Sequence, residues 1–320
     1  AVIHIFYSFF LKAFSILIQL AIIPITIDYL DQYQFGIWLT LASIFGWFSF
    51  FDVGLGNGLR NKLTVAMAKN EIELAKTYVS TSYAMLSFIF ISLILIFYFV
   101  SPLLNWSNIL NVSNKLGLSI NKLAFFVFMF FSLRFIFNLI SNILYSDQKP
   151  AVNNLIGPLG NFIALVCIII LKQNVPGSLY NVGMIFSGVP LLVVIIFNLY
   201  LFKTRYKHIA PSYKYVKLKY AKDLFGLGSQ FFIIQLAAIF LFGTSNILLT
   251  RFFGPEEVTS YNIAHKYFTT STMLFAIIVT PFWSAITEAY TKKEFNWIRN
   301  SISKLEYLSY LFIALSIVMF

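Results

Sequence analysis

Apolar runs of about twenty residues, parted by short polar interruptions, recur along the whole chain, which is the length that a bilayer core of about 30 Å demands of a crossing helix. The pattern predicts nine such helices, over residues 3–27, 36–57, 79–101, 120–145, 152–171, 180–201, 225–250, 258–285 and 302–320. The first is too long for a removable signal peptide and lacks a small-residue cleavage site. The chain opens at Ala1 rather than Met, and Phe320 falls inside an apolar run, so further helices are expected beyond it.

Polar residues inside these runs line up. In the first helix Ser8, Lys12, Ser15, Gln19 and Thr26 follow one another at helical spacing and form one face. Arg134, Asn138, Ser141 and Tyr145 do the same in the fourth, and Asn262, Lys266 and Thr269 in the eighth, with His265 beside them. Asn154, Gly157 and Asn161 make a shorter stripe in the fifth. An ionised side chain at the bilayer centre costs about 2.5–3.5 kcal/mol even on the lenient scale, so it faces a partner or a water-filled cavity. Three stripes bearing Lys12, Arg134 and Lys266 predict the wall of a cationic cavity, suited to an anionic substrate, with phosphate the obvious one for Lys and Arg donors. The local alternative has Lys12 snorkelling to the interface and Arg134 paired with a carboxylate in the bundle. His265 has no His or carboxylate at ligand spacing, so it reads as a hydrogen-bond donor rather than a metal ligand.

Composition agrees with a membrane protein: of 320 residues 59% are hydrophobic and 11% charged, and the mean hydropathy is +0.81. Soluble domains carry about 25% charged residues. The formal charge of +11 is unevenly placed. With the N-terminus inside, sixteen Lys and Arg fall in inward loops and only Lys115, Lys122, Lys172 and Arg251 in outward ones, which sets a cytoplasmic N-terminus. The most basic segment, "FKTRYKHIAPSYKYVKLKYAKD" at 202–223, is expected to be a cytoplasmic linker carrying an amphipathic helix at the headgroups. An anionic inner leaflet accounts for its charge without nucleic acid. The single cysteine, Cys167, excludes an intramolecular disulfide and a cysteine-rich metal site.

Shifting the chain by 223 positions lays "EVTSY" (257–261) on "QFGIW" (34–38) and "KKEFNWIR" (292–299) on "KNEIELAK" (69–76). The order of outer loop, apolar helix, inner basic helix and apolar helix agrees, in the same direction, as in a parallel repeat about an axis along the membrane normal. The expected fold is an all-α polytopic membrane protein of two pseudo-symmetric six-helix lobes: a first lobe over 1–201, the linker over 202–223, and the start of a second lobe over 224–320.

At the end of the second helix stands "FFDVGLGNGLRNKL", residues 50–63. Its glycines are no phosphate loop, which would need a preceding strand and a Lys-Ser/Thr ending. Small residues permit close helix approach or a local break, and Arg60 and Lys62 then meet headgroups. Asp52, Gly54, Gly56, Gly58 and Arg60 therefore read as a tightly packed inner gate.

This stretch resembles the corresponding part of O-antigen and capsule repeat-unit flippases, in the multidrug/oligosaccharidyl-lipid/polysaccharide exporter superfamily. "YNIAHKYF" (261–268) is similar to their eighth-helix segment. The resemblance implies twelve helices in two lobes that rock between inward- and outward-open states. It also implies transport of an undecaprenyl-diphosphate-linked oligosaccharide across the bacterial inner membrane, alongside a polysaccharide polymerase and assembly machinery. On that reading Lys12, Arg134 and Lys266 contact the diphosphate, and Gln19, Asn138 and Asn262 line the cavity for the sugars. No cofactor is called for, and a proton or sodium gradient, with Asp52 or His265 titrating, is the energy source considered. The rivals are an organic-cation exporter of the same superfamily, which would want cavity carboxylates, and a membrane polymerase or glycosyltransferase, which would want a large loop bearing acid, base or metal ligands.

Overall fold

The computed structural model describes residues 2–48, 54–112, 117–147, 149–224, 244–291 and 294–318. The regular elements among them are helices. They are α1 (Val2–Tyr29), α2 (Gln32–Gly46), α3 (Leu55–Ala68), α4 (Ile72–Val100), α5 (Trp106–Ile109), α6 (Gly117–Phe137), α7 (Leu139–Ser146), α8 (Pro150–Asn174), α9 (Leu179–Lys203), α10 (Ser245–Phe252), α11 (Pro255–Thr291) and α12 (Phe295–Val318). The four stretches Ile72–Leu103, Ile120–Ser146, Ala151–Asn174 and Leu179–Lys203 are long and apolar enough to cross a membrane. This is a membrane protein.

The described residues thus hold twelve α-helices where the apolar pattern predicts nine. Hydrophobic periodicity reports burial in a bilayer and is blind to short breaks. The expected second helix stops at Gly46, and the glycine stretch opens a separate amphipathic helix, α3, with Leu55, Leu59, Leu63 and Ala66 buried. The expected fourth helix is divided at Asn138 into α6 and α7. The loop after α4 holds the single turn α5, capped by the Asn105 side chain accepting from the Asn108 N–H. Most of the expected seventh helix lies outside the described residues.

Helix boundaries recur at one offset. Tyr29 and Phe252 end helices, Gln32 and Pro255 begin them, Ala68 and Thr291 end them, and Ile72 and Phe295 begin them, each pair 223 residues apart. Between these boundaries residues 32–68 hold two helices, α2 and α3, while residues 255–291 form one, α11. The left-handed Gly54 (φ 73°) that starts α3 corresponds to Ile277, a β-branched residue for which that conformation is unfavourable.

The chain divides into two compact units, residues 21–259 and residues 1–20 with 260–320. In the larger unit two apolar clusters form the interior. One gathers Leu59, Leu63, Leu86, Ile140 and Ile143 with Tyr206 and Ile209. The other is rich in aromatic rings: Phe45 and Phe97 meet each other, and each meets Trp106 and Phe128, at centroid separations of 4.1–6.0 Å. In the smaller unit, Phe275 of α11 meets the Phe312 ring of α12 at 5.7 Å.

The basic segment after α9 is not the amphipathic helix expected. It is a strap of three 3₁₀ turns, Lys207–Ile209, Tyr213–Tyr215 and Leu218–Tyr220. Its backbone is held by side chains instead of by its own helix: Ser212 N–H donates to Ser80 Oγ (3.0 Å) and Lys217 N–H to Thr81 Oγ1 (3.1 Å) on α4. Tyr206, Ile209 and Leu224 are buried, while Tyr213 and Leu218 are 82% and 72% exposed.

Candidate functional site

The stripe on the fourth predicted helix survives the break at Asn138 because that residue keeps right-handed helical geometry (φ −69°, ψ −9°). The break changes one hydrogen bond. Ser141 N–H pairs with Asn138 O in place of the Phe137 carbonyl four residues back, and the Asn198 amide of α9 donates to the freed Phe137 oxygen at 2.8 Å. Tyr83 in turn donates its hydroxyl to Asn198 Oδ1 at 2.6 Å. A buried polar hub on α4 and α9 therefore fixes the point where α6 passes into α7.

Beside that point is a cavity of about 460 Å³, lined by Arg134, Asn138, Ser141, Asn142 and Tyr145 from α6 and α7, and by Asn153, Ile156 and Gly157 from α8. Leu86 and Val194 close the apolar side. Its volume lies within the range of about 300–1,000 Å³ usual for small-molecule sites. The lining holds one cation, Arg134, and no carboxylate. Among the described residues Arg134 makes no ion pair and no hydrogen bond from its side chain. The guanidinium has five donors in a planar fork that matches phosphate or carboxylate oxygens. The alternative of a carboxylate partner for Arg134 in the bundle finds no support among these residues.

The motif "FFDVGLGNGLRNKL" meets the same region. Arg60 lies over the Tyr145 ring at 4.8 Å, and Ser146 Oγ donates to the Arg60 carbonyl at 3.0 Å. Gly54, with its positive φ, starts α3, and Gly56 is buried. At Gly58 the chain that follows the strap comes so close that a Cβ would stand 1.9 Å from the Leu224 oxygen. The next residue of α7's end, Asp147, accepts from Arg205 Nε at 2.8 Å and from the Tyr206 hydroxyl at 2.9 Å. Burial, and then this bond to Asp147, raise the Tyr206 pKa above its ordinary value. The same carboxylate raises that of Arg205.

Arg134, Asn138 and, at the edge, Arg60 are thus brought together by the larger unit. Lys12, Gln19, Asn262, His265 and Lys266 belong to the smaller unit. Lys12 lies in α1. Gln19 donates to Ser15 Oγ at 3.2 Å, a contact within the predicted stripe. Asn262 and Lys266 are half-buried in α11. His265 is exposed and stacks on Tyr261, with ring centroids 5.6 Å apart. Asp52 lies outside the described residues.

Sequence reasoning missed Asn142, although it stands one turn beyond Asn138. Of the α8 stripe, Gly157 lines the cavity together with Asn153, while Asn154 and Asn161 do not. Asn198 has no polar companion at helical spacing, and Tyr83, which has Ser80 and Ser87 at such spacing, is marked out only by its bond to Asn198 beside the helix break.

Comparison with known proteins adds the following. The chain is 28% identical to a protein of Yersinia pseudotuberculosis named for O-antigen export, over 88% of this chain and 64% of that protein. It is 19% and 22% identical to proteins named as O-antigen transporters in Salmonella typhi and Salmonella typhimurium, over 89% of this chain and 64% and 65% of theirs. The chain therefore spans a little under two thirds of the length of these relatives. No solved structure matches it. The sequence profile of the family described as "Polysaccharide biosynthesis protein" matches residues 2–287, and the chain belongs to that family.

Proposed function

We propose that the protein is a flippase that carries undecaprenyl-diphosphate-linked oligosaccharide repeat units across the bacterial inner membrane for O-antigen or another surface polysaccharide. The observation that carries this reading is the Arg134 cavity, cationic and free of carboxylates, in a chain of the polysaccharide biosynthesis family whose relatives are named for O-antigen transport. An exporter of organic cations would need the opposite charge.

Arg134, Lys12 and Lys266 are the cations assigned to the phosphates. Asn138, Gln19 and Asn262 meet sugar hydroxyls, and the prenyl chain stays in lipid. The work is binding and alternating access, without a covalent step. Two six-helix lobes related by a parallel repeat provide the moving parts, a reading supported by the four helix boundaries that recur at 223 residues. The N-terminus and the basic strap lie on the cytoplasmic side. Asp52 and His265 are the groups for coupling to a proton or sodium gradient, and flipping that persists after both gradients are collapsed removes that role. A polysaccharide polymerase receives the product.

Deleting the gene tests the whole reading. Completed lipid-linked repeat units should accumulate on the inner leaflet while surface polysaccharide is lost. Repeat units that reach the outer face but stay unpolymerised would instead make the protein a polymerase.

A further inference from the structure

Two helices of the larger unit fix the depth at which the basic strap lies. On α9 the apolar surface that faces lipid carries the exposed Leu192, Ile196 and Leu199, then the exposed Tyr200, and the helix closes at Lys203. A tyrosine followed by a lysine is the order of anchors met on passing from hydrocarbon to headgroups. The strap starts within a few residues of that point. On α4 the apolar stretch Ile72–Leu103 is 32 residues long, more than the roughly 20 that cross the core. Counting about 20 residues back from Leu103 brings the edge of the core near Tyr83. The strap's backbone is tied about one turn beyond that edge, to Ser80 and Thr81.

Both counts put the strap at the level of the headgroups. Residues 202–223 hold seven Lys and Arg and a single acid, Asp223. Lys214, Lys217 and Lys219 are exposed, interleaved with the exposed Tyr213 and Leu218. A leucine and a tyrosine standing out at this depth are stable where they dip into the acyl boundary, while lysine stems reach back to phosphates. The hydroxyls of α4 take up two of the strap's N–H groups, so it can lie at the interface without becoming a helix. Its lysines favour anionic over zwitterionic lipid.

We propose that the strap is a docking surface for anionic phospholipid: Lys214, Lys217 and Lys219 bind headgroup phosphates while Tyr213 and Leu218 enter the acyl boundary. The leaflet is the inner one in the orientation given above. The docking does not depend on which cargo the protein carries.

A fluorescent label on the strap tests it. In the full-length protein with Cys167→Ser, Leu218→Cys is coupled to a nitrobenzoxadiazole dye, whose emission moves to the blue on leaving water. The protein is placed in nanodiscs of phosphatidylcholine alone or mixed with phosphatidylglycerol. The expected result is bluer emission with phosphatidylglycerol. Lys214→Gln, Lys217→Gln and Lys219→Gln together should abolish that difference, and each change alone should shrink it. These side chains are exposed, so the variants should keep the parent's thermal midpoint in detergent, which separates lost docking from lost folding. Equal emission in the two lipids, or a phosphatidylglycerol response that survives the triple change, overturns the proposal. A dye that stays in water in both lipids also overturns it and leaves the strap to a cytoplasmic protein partner. The same shift on adding inorganic phosphate to the protein in detergent overturns it in favour of a site for free phosphate.

Discussion

Arg134 sits on a helix face that a single sequence could mark, but the reason it matters is tertiary: its cavity offers no carboxylate. Arg134→Ala should weaken substrate interaction by about 2–5 kcal/mol, the usual cost of truncating one partner of a buried charge pair, and should lower surface polysaccharide at limiting expression. Arg134→Lys should recover only part, since it keeps the charge and loses the planar fork. Asn198 was not legible in the same way, because a lone amide in an apolar run has many structural explanations. It satisfies the Phe137 carbonyl at the helix break, so Asn198→Ala should destabilise the detergent-solubilised protein by about 1–3 kcal/mol, read as a lower thermal midpoint. Tyr83→Phe removes a single hydroxyl from the same hub and should cost less.

Among the elements, α3 and the strap depend on each other. Gly58→Ala drives a methyl into the Leu224 backbone, which cannot swing aside as a flexible side chain would. Overpacking of this kind costs about 1–3 kcal/mol, and faster proteolysis within residues 207–220 would report the loosened strap. The strap's other anchor responds to pH. A Tyr206 pKa raised by burial and by Asp147 means that the folded state holds the phenol proton more tightly than the unfolded chain does. The resulting stability is fully present below the ordinary tyrosine value of about 10 and is lost as pH rises through the folded value. Melting curves should therefore fall on the alkaline side in the wild-type protein, and Tyr206→Phe should flatten that fall while lowering stability at neutral pH. The glycines of α3 were visible as a motif, yet which of them meets the chain after the strap was not, since a close approach involves a residue, Leu224, far away in the sequence.

For the whole molecule, the asymmetry of Lys and Arg predicts that the strap faces the cytoplasm. Tyr213 is 82% exposed and lies outside the packed core, so Tyr213→Cys in a Cys167→Ser background should react with a membrane-impermeant maleimide in inverted inner-membrane vesicles and not in right-side-out ones. The reverse labelling would invert the topology. The 223-residue offset, weak as residue identity, recurs as four helix boundaries, because boundaries depend on loop length and membrane thickness more than on particular side chains.

By itself the sequence determined that the chain is helical and membrane-embedded, where its basic segment falls, and that polar residues share one face along Arg134 to Tyr145. These are properties of local periodicity and bulk transfer energy, which a linear string carries in full. Only the tertiary structure decided that the fourth apolar run breaks at Asn138, that the basic segment is a strap rather than a helix, and that Asn153 joins Arg134 around one cavity. Each of these depends on which backbone groups find partners on distant helices, and a hydrogen bond across the fold leaves no period along the chain.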